Sequence, residues 1–260
     1  MNDSASLDAF LSLATALADA AGTVIRPYFR TVLTVDDKAD LSPVTAADRA
    51  AEQTMRQMIA TRFPEHGIIG EEYGRERDDA EFVWVLDPID GTKSFISGMP
   101  LFGTLIALAR HGKPILGIID QPISRERWIG VAGRSTTHNG HPVRCRPCPG
   151  IAAATVFATT PEMFEGADAA SFSRVAGAAK LVRYGADCYA YGLVALGFVD
   201  VVIEASLNPY DFSAMLPIIE GAGGIATDWQ GALLDLSSDG RVLIAGDRRT
   251  HSDALALLKG

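Results

Sequence analysis

Cysteine is scarce in this chain: three residues in 260, Cys145, Cys148 and Cys188. So few thiols build no disulfide framework, and a reducing, cytoplasmic setting is expected. Positive charge is also in short supply. Lys and Arg number 23 against 32 Asp and Glu, a formal net charge of −9. Nucleic-acid binders usually display a basic patch, and no Lys/Arg cluster stands out, so no nucleic-acid partner is expected. Long apolar runs are missing too. No stretch of about 18 apolar residues occurs, which argues against a membrane span. The opening stretch, MNDSASLDAFLSLATALADAAG, carries an acid near its start and no basic region. It reads as an amphipathic helix and not as a signal peptide. No internal repeat and no low-complexity segment is present.

Hydrophobic residues make up 48% of the chain, enough for one large domain or two tightly joined halves. Residues 6–30 carry apolar positions at helical spacing, and 45–62 form a second helix with Thr45 as its cap. FVWVLD (82–87) is a short apolar run bounded by turn signals, hence a buried strand ending where Pro88 forces a turn. FGTLIALAR and KPILGIIDQP flank His111-Gly112 and predict a hairpin, and RERWIGVAG predicts a further strand. Asn139-Gly140 is a hairpin-turn signal. RERDDAE (75–81) has mixed charge and reads as a solvated loop. CRPCPG (145–150) is the candidate boundary, which divides the chain into 1–145, helices with an antiparallel sheet, and 146–260. Beyond it strands and helices alternate as in α/β folds, with one helix expected across DFSAMLPIIEGAGG.

The chemistry gathers around WVLDPIDGTKSF (84–95). Asp87 and Asp90 are two carboxylates at the end of an apolar strand, and like charges so placed repel and raise each other's pKa. Pro88 turns the chain so that both point into one cavity. Gly91-Thr92 follows, permits close approach, and starts a short helix whose amides suit a phosphate. Two carboxylates beside a phosphate cradle call for Mg²⁺, because a cation between them removes the repulsion. A bare D-x-x-D-G also occurs in ordinary surface turns, so other acids matter. IIGEEYG (68–74) again joins an apolar strand, a glycine and paired acids. Asp48 and Asp211 each stand at a predicted helix start, where acids also serve as caps.

GEE, WVLDPIDGTKSF and YD…EGAGG, in that order and together with VTAAD, resemble the inositol monophosphatase family of Mg²⁺-dependent phosphatases over essentially the whole chain. Ser213 and Tyr210 stand where that family more often has Ala or Cys, and Trp, and neither departure removes a ligand. The resemblance implies a layered αβαβα sandwich, a homodimer, and two or three Mg²⁺ ions. Glu71, Asp87 and the carbonyl of Ile89 would hold one ion, and Asp87, Asp90 and Asp211 a second. Glu71 would help place a third through water. Asp48 and Thr92 would orient and deprotonate the attacking water. Gly91 and Thr92 would hold the phosphate.

Within the family, SFISGMPLFGTLIAL (94–108) and YGADCYAYGLVALG (184–197) resemble the histidinol-phosphate phosphatase branch. Lys93 alone decides little. The implied reaction is hydrolysis of L-histidinol phosphate, a small phosphate monoester, to histidinol and phosphate by metal-activated water. Asp187 and Glu204 would form an acidic rim facing the substrate's ammonium group, although Asp187 is also placed to cap the helix after it. The alternatives are an inositol-1-phosphate phosphatase, a 3′-phosphoadenosine 5′-phosphate phosphatase, which would need a basic cluster, and a catalytically idle binding protein, which would be free to lose ligands that are all retained here. The remaining motifs are read as structural. Cys145-x-x-Cys148 lacks further zinc ligands and a redox helix. The five histidines lie in turns or termini and are expected at the surface. The glycines of GAGG (221–224) end a helix. Trp84 and Phe102 are expected in the core.

Overall fold

A computed structural model describes residues 3–31, 35–37 and 43–260. Helix α1 (Asp3–Ile25) is followed by strands β1 (Val35–Asp37) and β2 (Pro43–Thr45), an antiparallel pair, and by helix α2 (Ala46–Arg62). The Thr45 cap lies outside the described side chains. Ser6–Tyr28 is the one stretch among the described residues that is long and apolar enough, by length and composition, to cross a membrane. Its apolar face, including Phe10, Leu13, Leu17 and Ile25, is buried in the protein core.

The first half continues with β3 (Gly67–Gly70), β4 (Gly74–Glu76), β5 (Phe82–Asp90), helix α3 (Thr92–Ile96), β6 (Gly103–Arg110), β7 (Lys113–Gln121), β8 (Glu126–Val131), β9 (Thr137–His138) and β10 (His141–Pro142). These strands form one eight-stranded sheet in the order β10-β9-β8-β7-β6-β5-β3-β4, antiparallel except for the pairing of β3 with β5. The expected hairpin joins β6 and β7, and Asn139 and Gly140 take positive φ at the β9–β10 turn. Part of the charged run read as a loop is instead the exposed edge strand β4.

The second half supplies β11 (Thr155–Ala158), α4 (Gly166–Ala178), β12 (Leu181–Tyr184), α5 (Tyr189–Ala195), β13 (Val201–Glu204), α6 (Pro209–Phe212), α7 (Met215–Gly221), β14 (Ile225–Thr227), β15 (Val242–Ala245) and α8 (Arg248–Lys259). Its five strands run β12-β11-β13-β15-β14, with β11 parallel to both neighbours and β15 antiparallel to both of its own. The helix expected across 211–224 is broken into α6 and α7 at Ser213 and Ala214.

Alternation along the strands builds the layers. Trp84 and Leu86 face α1 and α2, whereas Val83 and Val85 face inward onto Tyr191, Val194, Phe212, Met215 and Ile218 of α5–α7. The opposite side of those helices meets Val202, Val242 and Ile244, and the outer face of the small sheet packs on α4 and α8 through Phe172, Val175, Ala254 and Leu258. The result is a five-layered αβαβα sandwich. Its central helical layer lies directly on the large sheet because Gly117 and Gly130 leave room. A Cβ at either would fall 2.0 Å from the Ala214 carbonyl oxygen or 2.3 Å from the Ile218 nitrogen.

Three histidines depart from the surface expectation. His66 accepts a hydrogen bond from Trp84 Nε1 (3.1 Å) and stacks on Phe63. His138 lies half-buried against Trp128. His251 is buried within hydrogen-bond distance of Thr227. Position in a turn does not report what packs over it. Trp84 and Phe102 are fully buried. All three cysteines are free thiols, and burial pushes that of Cys145 up to about 11.

Candidate active site

The end of β5 sets the geometry. The strand does not stop at Pro88; it runs on to Asp90 through an irregularity in its pairing with β6. Asp87 pairs with Leu105 and Asp90 with Gly103, so Pro88 and Ile89 together oppose Thr104. Residues three apart in a regular strand point to opposite faces. One extra residue restores the phase, and both carboxylates face the central layer. Pro88 tolerates the bulge because it has no N–H to pair. Its carbonyl accepts a hydrogen bond from Thr104 Oγ1 at 2.8 Å, which fixes the distorted backbone from the neighbouring strand.

Other elements bring further acids to this point. Because β3 is parallel to β5, Glu71 emerges beside Asp87, and its N–H donates to the Leu86 carbonyl (3.2 Å). The turn that carries it is gripped by Glu52 of α2. The fully buried Glu52 carboxylate accepts the N–H groups of Glu72 (2.7 Å) and Tyr73 (3.2 Å) and the Arg56 guanidinium (2.7 Å). Asp48, in the first turn of α2, is fully buried, unlike an ordinary solvated capping residue. Asp211 comes from α6, where it and Asn208 form a reciprocal capping box. Carboxylate oxygens of Asp48, Glu71 and Asp87 lie within 4.8 Å of one another, as do those of Asp87, Asp90 and Asp211.

Burial and mutual repulsion push Asp87 and Asp90 well above the usual carboxylate range, and burial drives Asp211 to about 7. Asp87 Oδ1 is buried without a hydrogen-bond partner among the described residues. An all-oxygen donor set with an unsatisfied buried oxygen matches a hard divalent cation and gives nothing to a metal that prefers sulfur. The residues present therefore fit the metal that the sequence implies.

Gly91 follows the bulge in the left-handed region (φ 82°) and caps α3. Thr92 Oγ1 donates to the Ile89 carbonyl at 3.2 Å. A cleft of about 350 Å³ opens here, lined among others by Glu71, Asp90, Gly91, Thr92, Lys93, Thr159, Asp187, Tyr191, Glu204 and Asp211. The two rim acids differ. Glu204 is buried with both oxygens engaged: Oε1 accepts the Thr159 N–H and hydroxyl, and Oε2 accepts the Tyr191 hydroxyl. Asp187 is partly exposed, and its Oδ2 accepts the Ser94 hydroxyl. Its side chain does not cap α5.

Sequence reading missed Glu52, Ser94, Thr104, Thr159 and Tyr191. Ser94, Thr104 and Tyr191 stood within stretches singled out for their resemblance, but nothing there assigned them a role. The others act through contacts between distant segments, for which spacing gives no signal.

A model of the inositol monophosphatase family matches residues 6–259. The bifunctional phosphatase IMPL2, chloroplastic, of Arabidopsis thaliana is 52% identical over 97% of this chain and 76% of its own length. A histidinol-phosphatase of Chlorobaculum parvum is 38% identical over 89% of this chain and 90% of its own. Among solved structures, an inositol monophosphatase from Zymomonas mobilis superposes with a TM-score of 0.91 at 47% identity, covering 97% of this chain and 98% of that one.

Proposed function

The chain belongs to the inositol monophosphatase family of phosphatases, and from that premise we propose that it is an Mg²⁺-dependent phosphatase acting on L-histidinol phosphate. The observation that carries the substrate is Asp187, an acid with one tethered oxygen on the cleft wall that also holds Glu204. An anionic wall suits an alcohol that carries an ammonium group. The likeness to a histidinol-phosphatase supports the same reading.

In this mechanism Glu71, Asp87, Asp90, Asp211 and the Ile89 carbonyl would hold Mg²⁺, as two or three ions. Bound there, Mg²⁺ supplies an activated water and neutralises phosphate charge. Asp48 and Thr92 orient the attacking water, and Asp48 receives its proton. The amides of Gly91 and Thr92 fix the phosphate. Asp187 pairs with the substrate ammonium. Glu204, immobilised by Thr159 and Tyr191, shapes the leaving-group end of the cleft. Three free thiols suit a reducing cytoplasm, and the family resemblance favours a homodimer, which sedimentation would test.

The test is phosphate release with Mg²⁺ from histidinol phosphate, inositol 1-phosphate, fructose 1,6-bisphosphate and phosphoadenosine phosphate. A preference of about 100-fold in kcat/KM for histidinol phosphate, about 2.7 kcal/mol, is expected. Equal rates on inositol 1-phosphate would reject the substrate. Inositol 1-phosphate is the second reading, favoured by the likeness to the Zymomonas mobilis enzyme. Asp187→Ala separates the two: histidinol phosphate hydrolysis should fall by at least about tenfold more than inositol phosphate hydrolysis, as the loss of one charge-assisted contact implies.

A further inference from the structure

The two stretches that carry the branch resemblance, 94–108 and 184–197, are tied by a side-chain hydrogen bond: the Ser94 hydroxyl donates to Asp187 Oδ2 (2.5 Å) across 93 residues of chain. We infer that Ser94 is a specificity-determining positioning residue, which holds one oxygen of Asp187 so that the other is presented as a fixed anion to an ammonium group on the alcohol end of the substrate. This rests on the reading of the substrate as a cationic phosphate monoester, and it assigns the discrimination to a pair instead of to Asp187 alone.

The backbone supports a built device. Asp187 has φ 43°, a left-handed conformation uncommon outside glycine, asparagine and aspartate, and here its surroundings hold it. Three contacts with the turn after β5 do so. The Asp187 side chain lies against Gly91, where a Cβ would come within 2.8 Å of its carboxyl carbon. Ser94 holds Oδ2. The N–H of the next residue, Cys188, donates to Asp90 Oδ2 at 2.8 Å. The segment that carries the cation seat is thus pinned to the same turn that carries Asp90 and Gly91. Distance between the ammonium seat and the reacting phosphate is set by that turn, and not by a mobile side chain.

Glu204 does not serve as the seat, because Thr159 and Tyr191 occupy both its oxygens. Burial raises the Asp187 pKa, and the Ser94 hydrogen bond and the charge of Lys93, which lines the same cleft, work against that rise. Lys93 is exposed, so it can turn to solvent when a substrate cation enters. A carboxylate already ordered by a hydrogen bond loses less freedom on binding than a free one. Removing the hydroxyl should therefore weaken capture of a cationic ester more than capture of a neutral one.

The experiment measures kcat and KM on histidinol phosphate and on inositol 1-phosphate for the wild-type protein, Ser94→Ala, Asp187→Asn and the double variant. In Ser94→Ala, KM for histidinol phosphate should rise about tenfold with kcat changed by less than about threefold, and the selectivity ratio should fall about tenfold. In the Asp187→Asn background the same change should move the ratio by less than about twofold, because the two residues act as one unit. An unchanged ratio in Ser94→Ala, or an equal fall in both backgrounds, overturns the inference and leaves the substrate reading intact. A wild-type protein that does not prefer the cationic ester defeats that reading and takes the inference with it.

Discussion

Charging Asp87 in the metal-free protein is opposed by burial and by the carboxylates of Glu71, Asp90, Asp211 and Asp48. Asparagine keeps the shape and removes the charge. Asp87→Asn should raise the Tm of the metal-free protein at pH 7.5 by about 2–4 °C, the shift that about 1 kcal/mol produces in a domain of this size. The same change should lower Mg²⁺-dependent phosphate release at least about 100-fold. A variant less stable than wild type in EDTA would show that the carboxylate makes stabilising contacts and is not held in reserve for a cation. Gly91 is constrained for two separate reasons, its positive φ and the Asp187 side chain over it. Gly91→Ala should cost about 1–2 kcal/mol from the backbone conformation alone, read by denaturant unfolding.

The supporting elements matter because a bulge and a turn are irregular structures held from outside. Thr104 holds the bulge by its bond to the Pro88 carbonyl, and both groups are buried. Thr104→Val keeps the volume and leaves that carbonyl without its partner, at a cost of about 1–3 kcal/mol. Because the bulge aims both Asp87 and Asp90, kcat should also fall, by about tenfold. A change in stability with unaltered kcat would detach the bulge from the chemistry. Glu52 plays the corresponding part for the turn that carries Glu71. Glu52→Ala strands two amides and removes one partner of the Arg56 guanidinium, which keeps the Gly74 carbonyl and Glu76, and a loss of about 1–3 kcal/mol in urea unfolding is expected.

For the whole molecule, the carboxylate cluster links stability, pH and metal. Asp87, Asp90 and Asp211 have folded pKa values raised above their unfolded ones, that of Asp211 to about 7. Their contribution is complete below the unfolded values near pH 4 and is lost as pH rises through the folded ones. The metal-free protein should therefore lose stability between about pH 4 and pH 7 from this cluster. A divalent cation competes with protons for the same oxygens. The rise in Tm on adding Mg²⁺ should be small at pH 5 and larger at pH 8, followed by thermal melts with EDTA or Mg²⁺. An increment independent of pH would place the cation elsewhere.

The sequence by itself determined the family, the sandwich class and the identity of the acids. The signals are local: the helical spacing of 6–30, the apolar run before Asp87 and the D-P-I-D-G-T order, which carries the family resemblance and, through it, the sandwich class. It misjudged β5 at Pro88, because a proline inside a bulge and a proline ending a strand look alike in one dimension. It ran α6 and α7 together, because the break at Ser213 and Ala214 lies in an otherwise helical pattern. The sequence put Asp87 and Asp90 in one cavity by a turn at Pro88, but only the tertiary structure showed the cause, a single residue of register against β6. Only the tertiary structure separated the two rim acids as well. Glu204 is spent on Thr159 and Tyr191 while Asp187 rests on Ser94, and contacts between residues 13 to 93 apart leave no trace in local spacing.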